Sequence, residues 1–336
     1  METIIIVTIA IALLYDFLNG MNDAANSIAT IVATRVLRPG VAVIWAAFFN
    51  FAAIWLFGQE VSSTISKGVV EQSVVDGDNL FILCALSGAM IWVFICTRFG
   101  LPISVSHALI GGLIGPAIMK GGAATLIWFA EDGKGLSMIL LFILLAPVIG
   151  MVTAYILQVI TLWVFRKQKP RSVDSLFRVL QLSSSAAFSL GHGGNDAQKT
   201  AGVIILLLYA SGNVQSLDDP PMWVFYLCYA VISLGTMVGG WKVIKTMGHN
   251  LTALKPMGGF CAETAGALTL FGTGMLGIPA STTHTITGAI MGVGASRRVS
   301  AVRWQVVYKI LGAWVFTIPA TTVMSAIVYL LLTSLT

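Results

Sequence analysis

Long apolar runs separated by short polar loops dominate the pattern of this chain. The runs 4–18, 41–57, 80–96, 138–165, 222–238 and 306–332 are nearly free of charge. A helix needs about 20 such residues to cross roughly 30 Å of hydrocarbon. The pattern therefore predicts an all-α polytopic membrane protein. Two stretches break the apolar pattern from within. "GMNDAANSIA" (20–29) carries Asn22, Asp23 and Asn26, and "GHGGNDAQKT" (191–200) carries His192, Asn195, Asp196, Gln198 and Lys199.

Composition strengthens the membrane reading. Of 336 residues, 57% are hydrophobic and 10% charged, against about 25% charged in a soluble domain. Mean hydropathy is +0.89. A soluble core this apolar would expose large greasy patches, so the bilayer is the expected solvent. Glu2 stands where a signal peptide carries a basic region, so the first run is expected to stay as a helix. Cys84, Cys96, Cys228 and Cys261 lie in apolar stretches without a CxxC spacing, which excludes a disulfide framework and a cysteine metal site. The net charge of +5 sits in a few loops, so it speaks to topology and not to nucleic acid.

The polar exceptions come in pairs because the chain repeats itself. "LPISVSHALIGGLIG" (101–115) aligns with "IPASTTHTITGAIMG" (278–292), matching Pro102, Ser104, His107, Gly111 and Gly115 to Pro279, Ser281, His284, Gly288 and Gly292. "NDAANSIAT" from Asn22 aligns with "NDAQKTAGV" from Asn195, and "GQEVSSTISKG" from Gly58 fits weakly on "GWKVIKTMGHN" from Gly240. Pro147 and Pro319 each interrupt a long apolar run late in their half. The expected organisation is a first transmembrane repeat (1–165), a basic cytoplasmic linker (166–175) and a second repeat (176–336).

Loop charge sets the orientation of the halves. Near Arg35 and Arg38 the first half is basic, its 71–78 loop is acidic, and its 131–134 loop has no basic excess. The signs swap in the second half: 216–221 is acidic, while Lys242, Lys245, Lys255, Arg297, Arg298 and Arg303 are basic. Basic loops stay in the cytoplasm, so equivalent loops lie on opposite sides. That is an inverted-topology repeat, the architecture of many secondary transporters. Both termini are expected outside a plasma membrane.

A charge at a helix centre costs about 2.5–3.5 kcal/mol on insertion scales, so Asp23 and Asp196 are unlike packing residues. Interfacial helix capping is the bland alternative. Gly20, Gly191, Gly193 and Gly194 precede the Asn-Asp pairs and are expected to break those helices, exposing an N-terminus to an anion and carbonyls to a cation. Pro102 and Pro279 suit a first helical turn. Ser104, Ser106, Ser281, Thr282 and Thr283 would place hydroxyls at the same starts, where an oxyanion or an ordinary cap can use them. The glycines that follow permit close helix packing. His107 and His284 are candidate ligands or proton carriers, or simple donors to backbone carbonyls. Glu263, in "FCAETAGAL", is a candidate coupling-ion ligand or the partner of a basic group. Lys199 lies three residues after Asp196 and can neutralise it, whereas Lys67 fits a snorkelling interfacial lysine.

These motifs, with "TMGHNLTALKPMGGFCAETAGAL" and "GIPASTTHTITGAIMGVG", resemble the signatures of the inorganic phosphate transporter (PiT) family over nearly the whole chain. The resemblance implies cation-coupled symport of phosphate, with sodium or a proton as co-substrate and no other cofactor. It also implies inverted repeats with re-entrant hairpins that meet at a central site. By motif, Ser104, Ser106, Ser281, Thr282, Thr283, Asn26, Asp23 and Asp196 would bind phosphate. Asn22, Asp23, Asn195, Asp196 and Glu263 would serve the coupling ion, with sodium at the first four. The linker is far shorter than the central loop of the larger animal members, which suits a compact prokaryotic form, and nothing resembles the family's sulfate-permease branch. Partners are phosphate, the cation and lipid, with a homo-oligomer compatible. Competing readings are an intramembrane metalloenzyme using Asp23, Asp196, His107 and His284, a transporter of another oxyanion such as sulfate, and an anion channel. No HExxH, GxSxG or CxxC supports the enzyme, and a deep acidic pair would repel a channel's anion.

Overall fold

The computed structural model describes residues 2–130 and 133–335, and these form thirteen α-helices with no strand. Glu131 and Asp132, part of the 131–134 loop, lie outside the described residues. The first half contains α1 (Glu2–Ala33), α2 (Pro39–Ala52), α3 (Glu60–Lys67), the single turn α4 (Gln72–Val75), α5 (Asn79–Phe99), α6 (Val105–Gly121) and α7 (Leu136–Val164). The second contains α8 (Pro170–Ala210), α9 (Met222–Val238), α10 (Trp241–Asn250), α11 (Pro256–Met275), α12 (Thr282–Ala295) and α13 (Trp304–Thr333).

Each half repeats one plan. A long helix is followed by a sharply bent pair, then a helical hairpin, then a long lipid-facing helix. The bends are 82° between 39–55 and 60–67 and 77° between 222–238 and 241–247. The weak alignment of Gly58 with Gly240 thus marks a matching bend. Four helices are long and apolar enough to span, α1, α5, α7 and α13, and the two bent pairs reach that length jointly. Exposed Leu144, Val152 and Ile160 on α7 and Val315, Phe316 and Val323 on α13 face outward as a lipid-exposed surface should.

One expectation needs correction. The glycines before the Asn-Asp pairs do not break their helices: α1 and the 41-residue α8 run straight through them. Those glycines serve close approach instead. A Cβ on Gly20 would run into the Ile232 carbonyl of α9, and one on Gly193 into the Asn50 carbonyl of α2. The breaks fall at the bent pairs and the hairpin tips. Within the 166–175 linker, Pro170 sits at the first turn of α8, so the linker's second part is helical.

The halves interlock. Helix α13 of the second half packs against α5 and α6, and α7 of the first half packs against α11 and α12. Glycines permit both contacts, since Gly111 and Gly115 abut α13 while Gly288 and Gly292 abut the carbonyls of Pro147 and Met151 on α7. Each hairpin enters and leaves at one end. Asp78 caps α5 and pairs with Lys120 at the end of α6, 2.9 Å away. The tips meet inside, where the Thr283 hydroxyl donates to the Ile103 carbonyl.

The acidic and basic loops lie at opposite ends of α8. At its Ala210 end, Gly77 donates to the Ala210 carbonyl and Asp218 pairs with Lys67. At its Pro170 end, Arg35, Arg166, Arg178, Lys255 and Arg297 surround one cavity. Single cysteines at Asp76 and Asp218 should label with an impermeant thiol reagent from outside intact cells, and one at Ser172 only after permeabilisation. The four natural cysteines are buried and give little background. Labelling of positions 76 and 172 from the same side would overturn the inverted orientation. Packing gives a second expectation: Gly193→Val should lower unfolding stability by about 1–3 kcal/mol through overpacking. Gly272→Ala, where a Cβ meets nothing, should stay within about 0.5 kcal/mol in the same detergent melt.

Candidate functional site

Asp23 on α1 and Asp196 on α8 come from matching positions of the two halves and converge in the interior, 2% and 0% exposed. Thr282 Oγ1, on the first residue of α12, lies 3.2 Å from Asp23 Oδ2 and 3.1 Å from Asp196 Oδ2. Thr283 Oγ1 lies 3.4 Å from Asp23 Oδ1. The Asn26 amide donates to both hydroxyls, at 3.2 and 2.9 Å. The two carboxylates thus share one threonine, and the start of α12 is fastened to both long helices.

Lys199 supplies the positive charge. Its Nζ donates to Asp196 Oδ1, Ser106 Oγ and the Ala280 carbonyl, each at 2.6 Å. One ammonium therefore ties α8 to both hairpin tips. The neutralisation of Asp196 expected from the three-residue spacing is present. His192, one turn before Asp196, places Nε2 3.3 Å from Asp196 Oδ2 and 4.0 Å from Asp23 Oδ2. Its Nδ1 meets Asn50 Oδ1 at 3.1 Å. Donor atoms of Asp23, His192 and Asp196 lie within 4.8 Å of one another, close enough to share a cation.

Helices α6 and α12 begin here, and the first amides of a helix have no acceptor of their own. Ser104 and Ser281 cap them, each accepting from the amide three residues on (His107 and His284) at 3.3 Å. Capping, the bland alternative, is therefore what these two hydroxyls do. Ser106, Thr282 and Thr283 are left to reach the charged groups. Asn22, Asn26 and Asn195 each keep a buried side-chain carbonyl oxygen without a partner. Their amides are taken up by Thr97 (Asn22), the two threonines (Asn26), and the Gly191 and Leu270 carbonyls (Asn195). Only Asn26 is tied through Thr282 and Thr283 to the carboxylates, while Asn22 turns to α5 and Asn195 to α11. Carboxylate and amide oxygens of this kind are hard ligands of the type sodium takes, and helix-start amides near a lysine suit an oxyanion.

His107 and His284 meet edge to face at 4.5 Å, and His284 stacks on Trp314 at 3.5 Å. His284 Nδ1 sits 3.3 Å from the Ile143 carbonyl, the ordinary histidine role. Neither belongs to the three-ligand cluster. Glu263 lies apart from the Asp23–His192–Asp196 cluster. It accepts from Thr30 (2.5 Å), Gln181 (3.0 Å) and Ser184 (2.6 Å), and it has no basic partner among the described residues. Thr30 is seven residues beyond Asp23, about 10 Å along α1.

The sequence shows His192 as a polar exception but gives it no role, and Asn50, Thr97 and Asp16 were passed over. The first sits one turn from Asp196 on the same helix face, a spacing that could have found it. Asn50 and Thr97 lie in ordinary apolar runs and carry no local signal. Asp16 is a carboxylate inside an apolar helix, as conspicuous as Asp23.

Paired ionic side chains closed off between interlocked inverted halves define a polytopic membrane transporter. The pattern of the phosphate transporter family matches residues 19–325, and the chain belongs to that family. It is 53% identical to a "Probable low-affinity inorganic phosphate transporter" of Rhizobium meliloti (strain 1021), over 96% of this chain and 94% of that one. A protein of Bacillus subtilis (strain 168) with the same description is 38% identical over 99% of both. A solved structure, "The sodium-dependent phosphate transporter", superposes with a TM-score of 0.87 at 26% identity, covering 99% of this chain and 100% of that one. Family and relatives are transporters, which sets the metalloenzyme reading aside.

The ion pair yields a stability expectation. Lys199→Met leaves the Asp196 carboxylate buried without its cation and should cost about 3–5 kcal/mol. Adding Asp196→Asn should recover most of that loss. A double-mutant cycle on detergent unfolding measures it, and additive losses would contradict a shared pair.

Proposed function

We propose that this protein moves inorganic phosphate together with monovalent cations by alternating access, with sodium as the coupling ion. The observation that carries the reading is the meeting of Asp23 and Asp196, one from each inverted half, at the starts of α6 and α12. Phosphate would sit against those starts, on Ser106, Thr282 and Thr283, with Asn26 and Lys199 as further donors. Sodium would take the carboxylates and the unpaired oxygens of Asn22 and Asn195. The sodium-dependent description of the structural neighbour supports this choice over a proton.

Charge explains why coupling is needed. Asp23, Asp196 and Lys199 together carry one net negative charge, and divalent phosphate brings two more. A site with three uncompensated charges is intolerable in a low-dielectric interior. Moving a divalent anion inward against 100 mV also costs about 4.6 kcal/mol, at 2.3 per charge. Two sodium ions cancel that electrical work, and a third lets the potential drive uptake.

Uptake of radiolabelled phosphate by purified protein in liposomes, with a sodium gradient or a pH step, tests the reading. Sodium should drive accumulation and the pH step alone should not. Asp23→Asn and Asp196→Asn should each weaken cation binding by about 100-fold, since loss of one partner of a buried charge pair costs 2–5 kcal/mol. Uptake should then fall to background while the protein stays inserted. Normal gradient-driven uptake by both variants would refute the coupling role.

Selectivity follows from the proton phosphate keeps. Ionised carboxylates only accept hydrogen bonds, so a phosphate O–H can donate to Asp23 or Asp196, whereas sulfate has none and is repelled. Arsenate, which also keeps a proton, should compete with phosphate. Sulfate at equal concentration should leave uptake unchanged, and inhibition by sulfate would remove a carboxylate from contact with the anion.

A further inference from the structure

We propose that Asp16, Asn19 and Thr200 form a second cation site, displaced from the central cluster toward the Ala210 end of α8. Asp16 lies seven residues before Asp23, about 10 Å along α1, and is fully buried. Its Oδ1 accepts from the Thr200 hydroxyl at 2.8 Å. Its Oδ2 is buried without a partner, and so is Oδ1 of Asn19, one turn on and 4% exposed. Asp16 has no ion pair among the described residues. The nearest lysine in sequence to its partner Thr200 is Lys199, whose ammonium is already held by Ser106, Asp196 and Ala280.

A buried carboxylate with one oxygen unsatisfied and no counter-charge is unfavourable as it stands. Two orphaned oxygens one helical turn apart, with a hydroxyl from the facing helix, are hard oxygen ligands of the type sodium takes. A proton is the competing occupant of this pair of oxygens, and the test below separates it from a cation. A proton on Asp16 Oδ2 would have to donate to Asn19 Oδ1 to satisfy both oxygens, whereas a cation is met by both oxygens and by the Thr200 hydroxyl as ligands. The repeat sharpens the assignment. Asp16, Asn19 and Thr200 correspond to Ser189, His192 and Ser27 when Asn22 is aligned with Asn195. The twin position therefore has no carboxylate, and this site exists on one side of the centre only. That is the arrangement for an ion that binds en route to, or separately from, the ions held with phosphate. The inference rests on the cation-coupled reading above.

Sodium binding to the purified, phosphate-free protein tests it. Thermal unfolding is followed as sodium chloride replaces choline chloride at constant ionic strength and pH. The limiting slope of unfolding free energy against RT ln of sodium concentration counts the ions the folded state holds. Wild type should show a slope about one ion greater than Asp16→Asn, while Asp23→Asn should lose its own increment. Asn19→Ala and Thr200→Val keep the carboxylate. They should preserve the slope but raise the half-saturating sodium about tenfold, the lower end of what loss of a supporting ligand costs a metal site. These two variants also serve if Asp16→Asn does not fold. An Asp16→Asn protein that is less stable in choline yet has an unchanged sodium slope would make Asp16 structural and overturn the proposal. A slope lost in Asp23→Asn but kept in Asp16→Asn would overturn this site and leave the central one standing. Absence of any sodium response in wild type would overturn both. A stabilisation of wild type by lower pH that Asp16→Asn abolishes, with sodium slopes equal, would assign a proton and overturn the cation.

Discussion

The structure depends on one electrostatic constraint: a carboxylate in a membrane interior must be met by charge or by donors, and here two must be met together. Asp23 and Asp196 could not face each other without Lys199, Thr282 and Asn26 between and around them. The same groups are the contacts that hold the hairpin tips. Lys199 reaches Ser106 at one tip and Ala280 at the other, and Thr283 reaches Ile103 across them. The polar network is therefore also the seam between the moving candidates of the fold. Any ion that takes over the role of Lys199 or the threonines changes what the seam is made of. In the proposed alternating access, binding and rearrangement would be linked through the same handful of atoms, as a coupled transporter requires.

Around this centre, apolar packing cannot provide specificity, because lipid tails are as greasy as the helices. Close approach does. The glycines of α6 sit on α13 and those of α12 on α7, so each hairpin is clasped by the outer helix of the other half. The inverted repeat is thus a property of the folded unit and not of two separable bodies. Neither half buries its own hairpin fully, and division of the chain near its middle strips each hairpin of its clasp.

Much of this was legible in the chain. The apolar runs foretell α5, α7, α9 and α13 to within a few residues, whereas α1 continues well past its run and α8 has none, because their polar Asn-Asp segments interrupt the apolar pattern. The repeat of Asn-Asp and Pro-x-Ser foretells which residues meet. What failed was the reading of glycine. In water-soluble helices a glycine cluster marks weakness, but in a bilayer the backbone bonds are too costly to open. Gly191, Gly193 and Gly194 therefore stay helical and spend their small size on contact with α2 and its neighbours. The surroundings of Glu263 were not readable for another reason: a carboxylate satisfied by three neutral donors from α1 and α8 leaves no trace in its own sequence neighbourhood. Lys199 was readable because its partner lies within one helical turn.

One regularity ties the parts together. Asp16, Asp23 and Thr30 lie seven residues apart along α1, and a seven-residue step returns to nearly the same helix face. Their partners all lie across the interior: Thr200 for the first, Thr282 for the second, Glu263 for the third. One face of α1 therefore carries oxygen groups at about 10 Å steps through the membrane. The matching positions on α8 are Ser189, Asp196 and Val203, so only the middle rung is charged there and the third is apolar. The centre obeys the pseudo-symmetry, as alternating access from two sides demands. The outer rungs do not, and they need not, because the two aqueous phases differ in ion content and potential. On the proposed function, a path symmetric at the anion site and asymmetric on either side of it would give direction-dependent cation handling without altering the site that chooses phosphate.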